Sequence, residues 1–169
     1  MKKQFLTLMF LSFCFWGCNP LYNQYKKLNQ GIDKKSRYFA KKKKIIKYIL
    51  SEENNNNLLL LISWDKSLIS NENITFRALI YNYLTDEKKM IYNKKENVQD
   101  IVVSKNITDK EFLYILNQYN NGKEDYLLSL HDSFSSSEAN FPIYLYDFAK
   151  NKKIKIASIA INKEGKIVQ

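Results

Sequence analysis

The chain has 169 residues, 45% hydrophobic and 26% charged, with 4 Gly and 2 Pro, a balance that excludes collagen-like and linker material and is too apolar for wholesale disorder. At this length one core buries about two thirds of the surface that the unfolded chain exposes, so folding requires neither a disulfide nor a metal. The net charge of +10 comes from 25 Lys and 2 Arg against 17 acids. With Asn and Ile abundant, this is the usage expected of an AT-rich genome, and where the charge sits carries more information than its total.

Lys2 and Lys3 precede twelve uncharged residues, Phe5 to Trp16, dominated by Phe, Leu and Met. The run is shorter than the roughly twenty helical residues that cross a hydrocarbon core of about 30 Å. It ends in Gly17-Cys18, so the order is that of an export signal with its cleavage site. The residues Phe15-Trp16-Gly17-Cys18 resemble the lipobox of bacterial lipoproteins, in a loose, spirochaete-like form. The resemblance implies removal of residues 1–17 by signal peptidase II and acylation of Cys18, palmitate among the chains. It also implies attachment to the cell envelope, the outer membrane in preference to the inner. Cys14 would leave with the signal, and the mature chain would hold no free thiol, disulfide or thiolate metal site.

Between Cys18 and Leu50 ten basic residues face one acid, Asp33, whereas from Ser51 onward fifteen basic residues face sixteen acidic ones. All the excess charge of the mature chain therefore lies beside the anchor. Tyr25, Leu28, Ile32, Phe39, Ile46 and Ile49 share a helical stripe, with Ser36 filling a gap at helical spacing. Gly31 weakens a continuous helix, and Asp33 is placed to cap a shorter one over Lys34–Leu50. Residues 18–57 are thus expected to form a lipidated basic tether and amphipathic helix. Lys34, Lys41, Lys42 and Lys44 on its polar face would meet anionic lipid headgroups or host polyanions. The competing expectation is a spacer that packs its stripe on the sheet and leaves the lysines solvated. Export argues against nucleic acid as the partner.

Residues 58–169 are expected to form the globular domain. Leu58 to Ser63 is an apolar run of buried-strand type. Ile74 to Leu84 alternates, turns over Thr85 to Lys88 and returns over Lys89 to Tyr92 as a hairpin. Ile101 to Ser104 is a short strand. Thr108 and Glu111 have capping-box spacing ahead of a helix carrying Phe112, Ile115, Leu116 and Tyr119, which ends before Gly122. Strands are then expected over Tyr126 to His131, Pro142 to Phe148 and Ile154 to Ile161, with a last turn and short strand after Asn162. Strand groups separated by one helix, without regular alternation, predict an α+β fold with an antiparallel sheet.

No nucleophile elbow, phosphate loop or calcium-loop spacing occurs, and one histidine without free cysteine leaves no zinc pattern. The expectation is therefore no cofactor, no metal site and no assigned catalytic residue. On a strand His131 would point away from both Leu130 and Asp132, so neither neighbour would orient it. Asp86-Glu87 and Glu124-Asp125 look like solvated charge beside lysines. The abundance of Tyr suits a binding face. A non-enzymatic binding or interaction module, with a protein partner, is the first reading. An envelope-associated hydrolase using folded-together carboxylates or His131 is the alternative.

Overall fold

The computed structural model of the chain describes residues 19–30, 37–53, 55–66, 74–93, 101–134, 142–162, 164 and 166–168. It divides into two compact units, Met1–Asn54 and Asn55–Gln169.

In the first unit, helix α1 spans Pro20–Leu28 and helix α2 spans Arg37–Ser51. The start of α1 is written in Asn19-Pro20: the Asn19 side chain accepts the Tyr22 N–H at 3.0 Å, and Pro20 at the first helical position has no N–H to satisfy. Lys26 and Lys27 lie in its last turn, where their charge opposes the negative end of the helix dipole. The continuous stripe expected from Tyr25 onward is therefore divided between two helices. Asp33 and Lys34 lie outside the described residues, and α2 begins at Arg37. The stripe of α2 is broader than expected, since Ile45 and Leu50 are buried with Ile46 and Ile49. Asn19 Nδ2 donates to the Leu50 carbonyl at 2.7 Å, tying the start of α1 to the end of α2.

The second unit is an α+β domain built on a six-stranded antiparallel sheet in the order β4-β3-β2-β1-β5-β6. The strands are β1 Leu58–Lys66, β2 Ile74–Asn82, β3 Glu87–Asn93, β4 Ile101–Ser104, β5 Ile143–Asp147 and β6 Lys152–Ile156. Helices α3, Lys110–Asn120, and α4, Glu124–Phe134, fall between β4 and β5 in the chain. They pack on one face of the sheet: Phe112, Ile115, Leu116, Leu127 and Leu130 join Leu59, Leu61, Leu79, Leu145 and Ile156 in one core. The alternate residues Leu58, Leu60, Ile62, Ala78 and Ile80 are equally buried. Burial on both sides explains why β1 opens with five apolar residues in succession rather than alternating.

Two four-residue turns, Tyr83–Asp86 and Phe148–Asn151, close the hairpins β2–β3 and β5–β6. Each ends in a left-handed residue, Asp86 at φ 54° and Asn151 at φ 50°, side chains that tolerate this region. Both turns hold the entry to β1, through Tyr83 N to the carbonyl of Asn57, just before the strand, and Phe148 N to that of Leu58, its first residue, each at 2.9 Å.

Three sequence expectations are corrected. Tyr126 to His131 is helical, not a strand. Glu124 and Asp125 occupy the first turn of α4, and Leu130 is buried with Leu127 at helical spacing while Tyr126 and Leu128, which would share the face of Leu130 on a strand, are exposed. The cap of α3 is Asp109 rather than Thr108: its carboxylate accepts the Phe112 N–H at 3.0 Å, and Glu111 turns elsewhere. The strand expected over Ile154 to Ile161 breaks into β6 and a short β7, Ala160–Ile161, which pairs with β8, Ile167–Val168. The C-terminus of α3 matches its expectation as a full Schellman motif, with Gly122 N to Tyr119 O and Lys123 N to Gln118 O both at 3.0 Å and Gly122 at φ 72°.

Candidate functional site

Sheet register places Arg77 of β2 opposite Tyr92 of β3, and Met90 opposite Ser104 of β4. With Asn106, Thr108 and Asp109 from the approach to α3 these residues line an open cleft of about 460 Å³, a volume within the range of small-ligand sites. One Met and one Tyr supply apolar wall; the rest is hydroxyl, amide and charge.

Arg77 is the pivot of that wall. Its Nη1 donates to Asp109 Oδ2 at 2.6 Å and its Nη2 to Glu111 Oε2, and its guanidinium lies 4.7 Å from the centre of the Phe112 ring. Burial opposes its charge, but Glu111 and Asp109 outweigh burial and hold the guanidinium pKa above its ordinary value. Glu111 is buried, and its other oxygen accepts Ser158 Oγ at 2.9 Å and Ile159 N at 2.5 Å. That last bond takes the backbone N–H just before β7, at the break in the expected strand. Asp109 is likewise engaged at both oxygens, by Arg77 and by its own helix. The carboxylates beside the cleft thus hold elements together, and a ligand would meet Arg77 as a charge already shared by two acids.

A second polar cluster lies at the end of β5. Asp147 is fully buried; Tyr83 and Tyr119 donate to its Oδ2 at 2.8 and 3.0 Å, and Lys150 N donates to its Oδ1 at 3.0 Å. Lys150 Nζ stands 3.5 Å from Oδ2 and 4.8 Å from the centre of the Tyr119 ring. Burial first, and the Asp147 carboxylate next, push both tyrosine hydroxyls well above the ordinary tyrosine range. Held protonated, they serve as donors rather than bases.

Of the residues singled out in the sequence, Cys18 and Lys34 lie outside the described residues. Lys44 is exposed on α2 with Lys43 and Lys47, whereas Lys41 and Lys42, one turn before Ile45 and Ile46, are half-buried. His131 lies on α4, so the extended geometry used to separate it from its neighbours does not apply; its side chain is outside the described residues. Glu124, expected to be solvated, pairs with Lys152 at 2.6 Å. Among the described residues no group of three or more His, Cys, Asp or Glu could hold a metal, and no helix is long and apolar enough to cross a membrane.

Sequence reasoning missed Arg77 and Asp147, and it gave Glu111 a capping role where the structure pairs it with Arg77. Arg77 carried a usable signal: it is one of two arginines among 25 lysines, set in the middle of an alternating apolar strand. In such a composition an Arg marks a position where the planar fork matters. No protein-family model matches the chain, and no curated protein or solved structure matches it.

Proposed function

We propose that the protein is a lipid-anchored cell-envelope protein, tethered through Cys18 and seated in the outer membrane, whose domain over residues 58–169 is a binding module. The observation that carries the anchor is the ordered series of Lys2-Lys3, a twelve-residue apolar run and Gly17-Cys18. Several acyl chains give stable attachment because each buried methylene contributes about 0.8 kcal/mol.

Binding is favoured over hydrolysis by the chemistry of the cleft. Its wall offers hydroxyl, amide and aromatic groups, while Asp109 and Glu111 beside it accept hydrogen bonds at both of their oxygens. A general acid or base has to turn toward a substrate proton, whereas Arg77 and backbone N–H groups hold both carboxylates in place, with Glu111 buried.

Detergent-phase partition and intact mass of the native protein and of Cys18→Ala test the anchor. The native chain should partition into detergent and carry an acyl mass increment; the variant should stay aqueous or persist as uncleaved precursor. A mature native chain without the increment defeats the reading.

A further inference from the structure

The residue after the proposed acylation site is the cap of a helix. Asn19 accepts the Tyr22 N–H through its side chain and the Asn23 N–H through its carbonyl at 3.1 Å, and it donates to Leu50 O at the far end of α2. Pro20 restricts the backbone at the next position, and Leu21 and Tyr22 are buried. Consecutive Cα atoms are about 3.8 Å apart, so the fold begins within one residue of the acyl chains.

Taking the lipoprotein reading as its premise, we propose that this protein is anchored without a leash: the α1–α2 hairpin lies directly against the lipid headgroups and presents its exposed lysines to anionic lipid. An extended tether of some thirty residues would let the domain range over about 100 Å. Here Pro20–Leu28 and Arg37–Ser51 of that stretch are helical, and α1, at nine residues, is about 13 Å long.

The charge follows the same geometry. Lys26, Lys27, Lys43, Lys44 and Lys47 are exposed. Lys47 lies about 5 Å and Lys44 about 9 Å along the helix axis from Leu50, which is bonded to Asn19. These distances are comparable to the Debye length of about 8 Å at physiological ionic strength. A lysine on a long leash spends most of its time beyond that range, whereas Lys47 fixed at this distance stays within it and Lys44 stays at its edge. Glu52 and Glu53 follow α2, yet ten basic residues against Asp33 keep the segment positive.

The test uses the full acylated chain in vesicles of phosphatidylcholine with phosphatidylglycerol. With Cys18 blocked by acylation, a cysteine introduced by Gln30→Cys, Ala40→Cys or Ser51→Cys, all exposed, is the one thiol available to a fluorophore. Quenching by a headgroup nitroxide lipid should be strong at all three positions. A flexible Gly/Ser spacer of about ten residues between Cys18 and Asn19, adding on the order of 17 Å of reach, should reduce it severalfold. Changing Lys43, Lys44 and Lys47 to Gln should reduce it at positions 30 and 40 more than at 51. An acylated sample with unquenched labels, or with quenching indifferent to the spacer, overturns the absence of a leash and leaves the anchor standing. A sample lacking the acyl mass increment overturns both.

Discussion

Tyr83, in the turn after β2, and Asp147, at the end of β5, are 64 residues apart in the chain and 2.8 Å apart in the fold. Tyr119 reaches the same oxygen from α3. One buried carboxylate therefore fastens a turn, a strand and a helix. A hydrogen bond to a charged group contributes about 1.5–3 kcal/mol, so Tyr83→Phe and Tyr119→Phe should each lower unfolding stability by that order. Because both hydroxyls share Oδ2, the double variant should depart from additivity in a denaturant-based double-mutant cycle. Additive losses would mean that the two bonds act independently.

The same cluster sets an alkaline limit. Both hydroxyl pKa values are raised on folding above the ordinary 10.0, so the folded state holds its protons more tightly than the unfolded chain. That stability is fully present below pH 10 and is lost as pH rises beyond it. Thermal unfolding followed across that window should show a steep fall in melting temperature, shallower in Tyr83→Phe and Tyr119→Phe.

Removing the guanidinium from the cleft wall exposes the cost of a stranded carboxylate. Arg77→Met should destabilise by about 3 kcal/mol, the low end for a buried pair because Arg77 is partly exposed. Adding Glu111→Met to Arg77→Met should recover part of the loss, since the unpaired charge is then gone. A larger loss in the double variant than in Arg77→Met would place the contribution of Glu111 in its bonds to Ser158 and Ile159.

At the end of α3, a Cβ on Gly122 would meet nothing within 4 Å, so the effect of Gly122→Ala is confined to the backbone at φ 72°. The expected cost is about 1–2 kcal/mol, with Gly122→Asn cheaper because Asn tolerates the left-handed region. Urea midpoints of the two variants would separate this from a packing effect.

What the sequence made legible was local. The alternation of Ile74 to Ile80 and the turn after it locate the β2–β3 hairpin, and the apolar spacing of Phe112 to Tyr119 locates α3. Helix α4 was hidden because Tyr126, Leu127, Leu128 and Leu130 satisfy a strand reading as readily as a helical one; the acids at 124 and 125, read as solvated charge, stand in its first turn and were the overlooked cue. Thr108 lost the cap to its neighbour because a carboxylate and a hydroxyl stand side by side, and spacing does not rank them. The links from Glu111 to Arg77 and from Asp147 to Tyr83 join residues far apart in the chain and leave no periodic trace. They exist only once the sheet has set its register.

That register also makes one strand pairing local and the other distant in the chain. β1 finds β2 as its neighbour in the chain, but its other side waits for β5, which follows only after α3 and α4. Until then Leu58 to Ile62 forms the open flank of a half-built sheet, with unpaired backbone amides along five consecutive apolar residues. Such a flank is a template for pairing with another chain. The vulnerable species of this protein is therefore the one in which β1 has paired with β2 before β5 docks, and slowing the docking of β5 during refolding should raise aggregation without any change in the finished fold.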